Sequence, residues 1–119
     1  MKIPHDDFCV LPWISLETSP IGSLRPCCLA EDEITDSTGQ KFELQSADLS
    51  NVLDGKYMTS LREEFLNKLK PPTCRKCWNE EASGRTSKRM HTLDRLKHVI
   101  PDTEWTNKSK GLQFLDLKL

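Results

Sequence analysis

Residues 9–28, CVLPWISLETSPIGSLRPCC, read as two short strands around a turn, with thiols at the base of the hairpin. The strand candidates are Val10 to Thr18 and Ser23 to Leu29. Between them, Ser19-Pro20-Ile21-Gly22 puts Ser first, Pro second and Gly fourth, the preferences of a type I turn. Gly22 can take positive φ and form a bulge. Cys9 precedes the first strand, and Cys27 and Cys28 end the second. Neighbouring residues on a strand face opposite sides, so Cys27 and Cys28 do not both reach one centre. If Thr18 faces Ser23, Ile14 lies opposite Cys27, and Cys9 is then roughly 16 Å away along an extended strand. Cys9 can meet Cys27 only if the first strand breaks. Pro12, where a ladder hydrogen bond is already missing, is the expected place, with the break near Leu11-Pro12.

The remaining cysteines, Cys74 and Cys77, lie in TCRKCW. The chain has 119 residues, 36% hydrophobic and 29% charged, with a net charge of -1, enough for one domain with a modest core. So small a net charge gives no global attraction to nucleic acid or anionic lipid. No apolar run is long enough to span a membrane, and MKIPHDDFCV has no signal-peptide core. The expectation is a cytoplasmic protein without membrane or nucleic-acid partners. An odd count of five cysteines in a reducing compartment argues against a disulfide framework and for a metal or cluster.

Past the hairpin, Ala30 to Ser50 is acidic and turn-rich, a loop with room for a short strand around Phe42. Tyr57 to Leu69 has the clearest helical period, with Leu61, Phe65, Leu66 and Leu69 on one face, Asp54 or Ser50 as the cap, and Pro71-Pro72 as the stop. A short helix is expected over Arg75 to Ala82, closed by Gly84. Another is expected over Ser87 to His98, with Met90, Leu93 and Leu96 inward, ended by Pro101. LQFLDLKL, residues 112–119, alternates as a strand does. The expected fold is α+β: a small Cys-ligated domain over residues 1–100, with an N-terminal β-hairpin and two to three helices, then a linker and terminal strand over 101–119.

A C-x2-C at a helix start lets two thiolates converge, because backbone N–H groups there favour anions. Two further thiolates complete a soft set of four, which means Zn²⁺ or an Fe–S cluster. The bland reading, five buried small hydrophobes, sits badly with Arg75 and Lys76 between two of them.

The pattern Cys9, Gly22, Cys27, then Cys74 and Cys77, resembles the SPASM/twitch domain of radical S-adenosylmethionine (SAM) proteins. FCVLPWISL and GSLRPCC look like that family's opening hairpin, and LREEFLNKLKPPTCRKCWNEEASGRTSKR like its helix, cysteine pair and following segment. The likeness covers Phe8 to Arg89. It implies one auxiliary [4Fe-4S] cluster on Cys9, Cys27, Cys74 and Cys77, the G-x4-C spacing selecting Cys27 over Cys28. It also implies an electron-transfer or substrate-positioning module. The further cysteines of a two-cluster domain are absent, and so is the C-x3-C-x2-C of a SAM-cleaving core. GLQFLDLKL looks like the run-in to the first barrel strand, so the chain resembles the N-terminal part of such a protein. A truncated, split or remnant product all fit, and none is a complete enzyme alone. The implied partners are a separate radical SAM core protein or a peptide or protein substrate. Self-association through the C-terminal strand is also expected.

Trp13 and Trp78 are candidates to shield a cluster, or ordinary core residues. His5 with Asp6 and Asp7 reads as a solvated terminus rather than a metal site. His91 and His98 read as surface residues. Arg85, Lys88, Arg89, Arg95 and Lys97 read as a solvated face balanced by Glu80, Glu81 and Asp94. Glu64 and Lys68 read as helix support. Two other functions compete with the cluster: a zinc-stapled interaction domain on the same four thiolates, and a dithiol redox protein using Cys74 and Cys77. The last lacks a surrounding βαβ pattern.

Overall fold

The chain between Cys9 and the turn is only half a strand. In the computed structural model, which describes residues 1–112 and the backbone of 114–117, a helical turn α1 (Leu11–Ile14) precedes β1 (Ser15–Thr18). Val10 takes αR geometry and its carbonyl accepts from Trp13 N–H at 3.0 Å. The expected break is thus a full helical turn, and the expected strand from Val10 is shortened to its last residues. Pro12 has no donor to give a ladder and sits in the first turn of α1, where none is needed.

β1 pairs antiparallel with β2 (Leu24–Arg25), Glu17 opposite Arg25 and Thr18 opposite Leu24. The register is one residue from that expected, because Ser19 rather than Thr18 pairs with Ser23 through its N–H at 2.9 Å. The turn closes as expected: Gly22 N–H donates to the Ser19 carbonyl at 3.0 Å, and Gly22 has φ +90°. A Cβ at Gly22 would also lie 2.6 Å from the flexible end of Gln45, which would have to move aside, and the positive φ itself favours glycine. β2 is far shorter than Ser23 to Leu29, since Pro26 interrupts it and the chain then turns, Ala30 N–H reaching the Cys27 carbonyl.

The acidic loop folds back along the outer side of β2. Ile34 N–H donates to Leu24 O at 2.7 Å and Leu44 N–H to Gly22 O at 2.7 Å. Isolated bridges, Thr35 with Lys41 and Ser23 with Glu43, stand where a strand around Phe42 was expected. A short helix, α2 (Leu49–Leu53), is capped by Asp48, whose carboxylate accepts from Ser50 N–H. It takes up Ser50, and Asp54 is its C-cap, so the next helix, α3 (Lys56–Leu66), starts from Gly55 instead of the expected caps.

Met58, Leu61, Arg62 and Phe65 are the buried face of α3. It ends before the prolines. Lys68 takes φ +62°, Lys68 N–H donates to Phe65 O at 3.2 Å, and Leu69 N–H to Glu64 O at 3.0 Å, which together form a Schellman closure. Leu69 is therefore outside the helix and 55% exposed, and Lys68 is not a helical partner of Glu64. A 3-10 turn (Pro72–Cys74) leads into α4 (Arg75–Ala82), closed at Gly84 with φ +85° as the sequence suggests. In α5 (Lys88–Leu96), Ser87 is the cap and Arg89, Thr92 and Leu96 are buried, while Met90, expected inward, is exposed.

The core gathers Phe8, Trp13, Ile14, Leu16, Leu24, Ile34, Val52, Met58 and Phe65. Phe8, Trp13 and Trp105 form an aromatic cluster with centroids 4.9 to 5.6 Å apart. The segment carrying Trp105 crosses α1, where Thr106 O accepts from Trp13 Nε1 at 2.7 Å and Lys110 N–H donates to Trp13 O at 2.8 Å. From there β3 (Phe114–Leu117) lies parallel to β1, giving the sheet order β2-β1-β3. Gln113, Lys118 and Leu119 lie outside the described residues. The self-association expected of the C-terminal strand rests on apolar surface at Leu112, Phe114, Leu115, Leu117 and Leu119; Leu112 is 37% exposed, and the other four side chains lie outside the described residues. Among the described residues no helix is long and apolar enough to cross a membrane.

Arg62 ties these pieces together. It is fully buried, and donates to Pro12 O, Leu53 O and Asn107 O, each at 2.8 Å. One guanidinium thus satisfies carbonyls of α1, α2 and the returning segment. We expect Arg62→Met to lower stability by about 3 kcal/mol, because the partner carbonyls are left buried and unbonded. Arg62→Lys should recover little, since one ammonium cannot reproduce the fork. Lys68→Gly should raise stability by about 1 kcal/mol by removing the left-handed side-chain penalty. Urea midpoints measure all three. A neutral Arg62→Met or a destabilising Lys68→Gly would contradict these assignments.

Candidate metal centre

Each segment delivers its thiol for a local reason. Cys9 lies two residues before α1, so the helical turn draws it toward the hairpin base. Cys27 follows the Pro26 interruption of β2. Cys74 is the N-cap residue of α4 and Cys77 lies in that helix's first turn. Cys9, Cys27, Cys74 and Cys77 line one cavity together with Leu11, Phe65 and Trp78, and its accessible wall is apolar. Cys28 does not line it. All five thiols are free.

The surroundings favour the protonated form of Cys9, Cys27 and Cys74 when no metal is bound. Burial pushes Cys9 well above the ordinary thiol range, and the neighbouring Cys27, Cys74 and Cys77 add to this. Burial raises Cys27 as well. Cys74 is pushed up to about 12 by burial, then by Cys27 and Cys77. Nearby backbone N–H groups work the other way, that of Leu11 lowering Cys9 and those of Leu29 and Ala30 lowering Cys27. Such N–H groups, with the N-terminus of α4, stabilise thiolates once a cation draws the protons off.

Among the described residues, no group of three or more His, Cys, Asp or Glu side chains is placed to hold a metal ion. The thiols share a cavity without being drawn into a coordination shell. Its volume is about 20 Å³, close to the room one water needs. The donors fit a thiophilic metal by chemistry: four soft ligands and an apolar wall. A single ion requires the four thiols to draw together around it, and a cubane requires in addition that the half-exposed Cys27 and Cys74 side part.

Trp78 forms part of the cavity wall, its Nε1 held by Pro71 O at 3.0 Å. Trp13 does not; it belongs to the aromatic core. His5 lies outside the cavity, hydrogen-bonded to the Phe65 carbonyl, so the N-terminal segment is docked rather than simply solvated. His91 and His98 are exposed.

The clearest departure from the sequence reading is Arg89. Expected on a solvated face, it is 4% exposed and lines the thiol cavity. Glu81 grips it through two hydrogen bonds, at 2.6 and 2.9 Å. Its Nη1 donates to Asp6 O and Phe8 O at 2.7 and 2.9 Å, which fixes the backbone beside Cys9. Burial opposes the charge on Arg89, but Glu81 and the nearby Cys9 raise its pKa overall. The legible signal was its place on one helix face with Thr92 and Leu96; the charge-run reading overrode it.

Comparison with protein-family models, with curated proteins and with solved structures finds no match.

Burial tends to raise the Glu81 carboxyl, but the bonds from Arg89 and Ser87 hold it below the usual range. The ion pair therefore stabilises the fold above the unfolded carboxyl pKa, and this is lost as pH falls through the lower folded value. Urea midpoints of the wild type and Glu81→Gln should differ most at neutral pH and converge as the pH falls below the ordinary carboxyl range and through the lowered folded value. A difference that stays constant with pH would contradict the role of this pair.

Proposed function

We propose that the chain is a thiolate-ligated [4Fe-4S] module of the SPASM/twitch kind, with Cys9, Cys27, Cys74 and Cys77 as ligands. The observation that carries this reading is that these thiols, from three separate parts of the chain, line one apolar cavity from which Cys28 is absent. The bland reading of buried small hydrophobes gives no reason for backbone N–H groups that favour the thiolate forms of Cys9 and Cys27. Hydrogen bonds to ligand sulfurs are a recognised means of setting cluster potential. When bound, the cluster would supply one-electron transfer. The protein would supply the ligands, the dry wall of Leu11, Phe65 and Trp78, and the N–H groups. On this reading the chain is an auxiliary electron-transfer or substrate-positioning module acting with a separate radical SAM core protein or a peptide or protein substrate.

The second reading is a zinc-stapled interaction domain on the same residues. It is favoured by the cavity volume of about 20 Å³, which admits a single ion more readily than a cubane.

Anaerobic reconstitution with ferrous iron and sulfide, followed by iron, sulfide and zinc assays, separates the two. The first reading expects a brown protein with a visible charge-transfer band that bleaches on reduction. It also expects Cys27→Ser to abolish loading and Cys28→Ser to retain it. A colourless protein with stoichiometric zinc would support the second reading. Loss of loading on Cys28→Ser but not Cys27→Ser would overturn the ligand assignment. On either reading the loaded protein should melt above the metal-free one, because binding energy becomes folding energy. Equal melting temperatures would contradict a stabilising centre.

A further inference from the structure

The accessible wall of the thiol cavity is apolar, but the charged residues that contribute to its lining are of one sign. Among the described residues, the charged side chains lining it are Lys88 and Arg89, both cations, and no carboxylate joins them. This is not a consequence of composition, since the chain carries 18 acidic and 17 basic residues. Glu81 grips the Arg89 guanidinium but does not itself line the cavity. The guanidinium is further fixed by the carbonyls of Asp6 and Phe8, so its charge cannot swing out to solvent. Lys88 is the first residue of α5, and the Ser87 cap fixes the start of that helix beside the cavity.

Neutral thiols gain little from adjacent cations, but metal-bound thiolates gain a great deal. A tetrathiolate group stays net anionic around Zn²⁺ or an iron–sulfur core. We propose that Lys88 and Arg89 are positioning residues supplying the counter-charge of the thiol centre, favouring its assembly and, for a cluster, its reduced form. The inference rests on the metal-binding reading above. Reduction by a low-potential one-electron donor adds one negative charge to the centre, with no bond made or broken. A fixed cation beside it therefore stabilises the reduced form more than the oxidised one. A purely mechanical role for Arg89, clipping the Asp6–Phe8 backbone to α4, predicts a different result. It would alter folding stability and leave the potential alone.

The test compares wild type, Lys88→Gln, Arg89→Gln and Arg89→Lys in two measurements. The first is a dithionite titration of the iron- and sulfide-reconstituted protein with mediators. Arg89→Gln should move the midpoint negative by about 59 mV, a tenfold loss of preference for the reduced state in a one-electron couple. Lys88→Gln should move it in the same direction, and Arg89→Lys should stay near wild type. The second measurement is Co²⁺ affinity by thiolate charge-transfer absorbance. This should fall about 10- to 100-fold in Arg89→Gln and recover largely in Arg89→Lys. Unmoved midpoints and affinities in folded Lys88→Gln and Arg89→Gln would overturn the inference. So would an Arg89→Lys as impaired as Arg89→Gln. If Arg89→Gln does not fold, Lys88→Gln decides, because the Lys88 side chain is half-exposed whereas Arg89 is buried. If the wild type binds Co²⁺ but assembles no cluster, the affinities decide. A wild type that binds neither overturns the metal-binding reading and this inference together.

Discussion

The helical turn over Leu11–Ile14 is the constraint on which the rest of the molecule depends. Four residues in a helix rise about 6 Å; extended, they would cover about 13 Å. That difference lets Cys9 share a cavity with Cys27, which an unbroken hairpin forbids. The same turn buries Trp13 against Phe8 and Trp105. It also ends at Ser15, whose hydroxyl bonds to both Leu11 O and Pro26 O and so joins the turn to the end of β2. Pro12 makes the turn compatible with the chain, but a proline alone does not hold a helix of four residues in place.

What holds it is a pair of buried guanidiniums. Arg62 takes the Pro12 carbonyl within α1, and Arg89 takes the Asp6 and Phe8 carbonyls just before Cys9. Backbone outside regular ladders must find partners when buried, and here side chains supply them. The two arginines differ in how their charge is met. Arg89 is paired with Glu81, whereas Arg62 is held by backbone carbonyls, with Asp54 as a weaker influence, and burial lowers its pKa. The irregular N-terminal segment is thus fixed from two sides, at the cost of burying two cations. One of these cations also borders the thiols.

Much of the layout was legible because it follows short-range rules. The Ser19–Gly22 turn, α4 ending at Gly84 and the Ser87 start of α5 each depend on one or two residues with fixed preferences. That Cys9, Cys27, Cys74 and Cys77 line one cavity agrees with their spacing, and the need for a break at Pro12 was legible from strand geometry. What failed depends on tertiary partners. The hairpin strands shrank because Pro26 and the returning acidic loop, not β-propensity, decide where the ladder stops. α2 was missed because five residues carry no readable period. Lys68 in a left-handed closure violates the preference for glycine, so α3 seemed to run on to Leu69. Arg62 was beyond local reading, because its burial is set by distant carbonyls, whereas Arg89 shares a helix face with Thr92 and Leu96 and was masked by the charges around it.

The central claim is that four separate cysteine sulfurs make one centre, and X-ray absorption at the metal edge of the loaded protein tests it most directly. Four sulfur neighbours at the first shell, with iron–iron scattering beyond them, is the result expected for the cluster. Four sulfurs at about 2.3 Å on zinc with no second metal would keep the site and change its occupant. A first shell dominated by nitrogen and oxygen, or fewer than four sulfurs, would contradict the account.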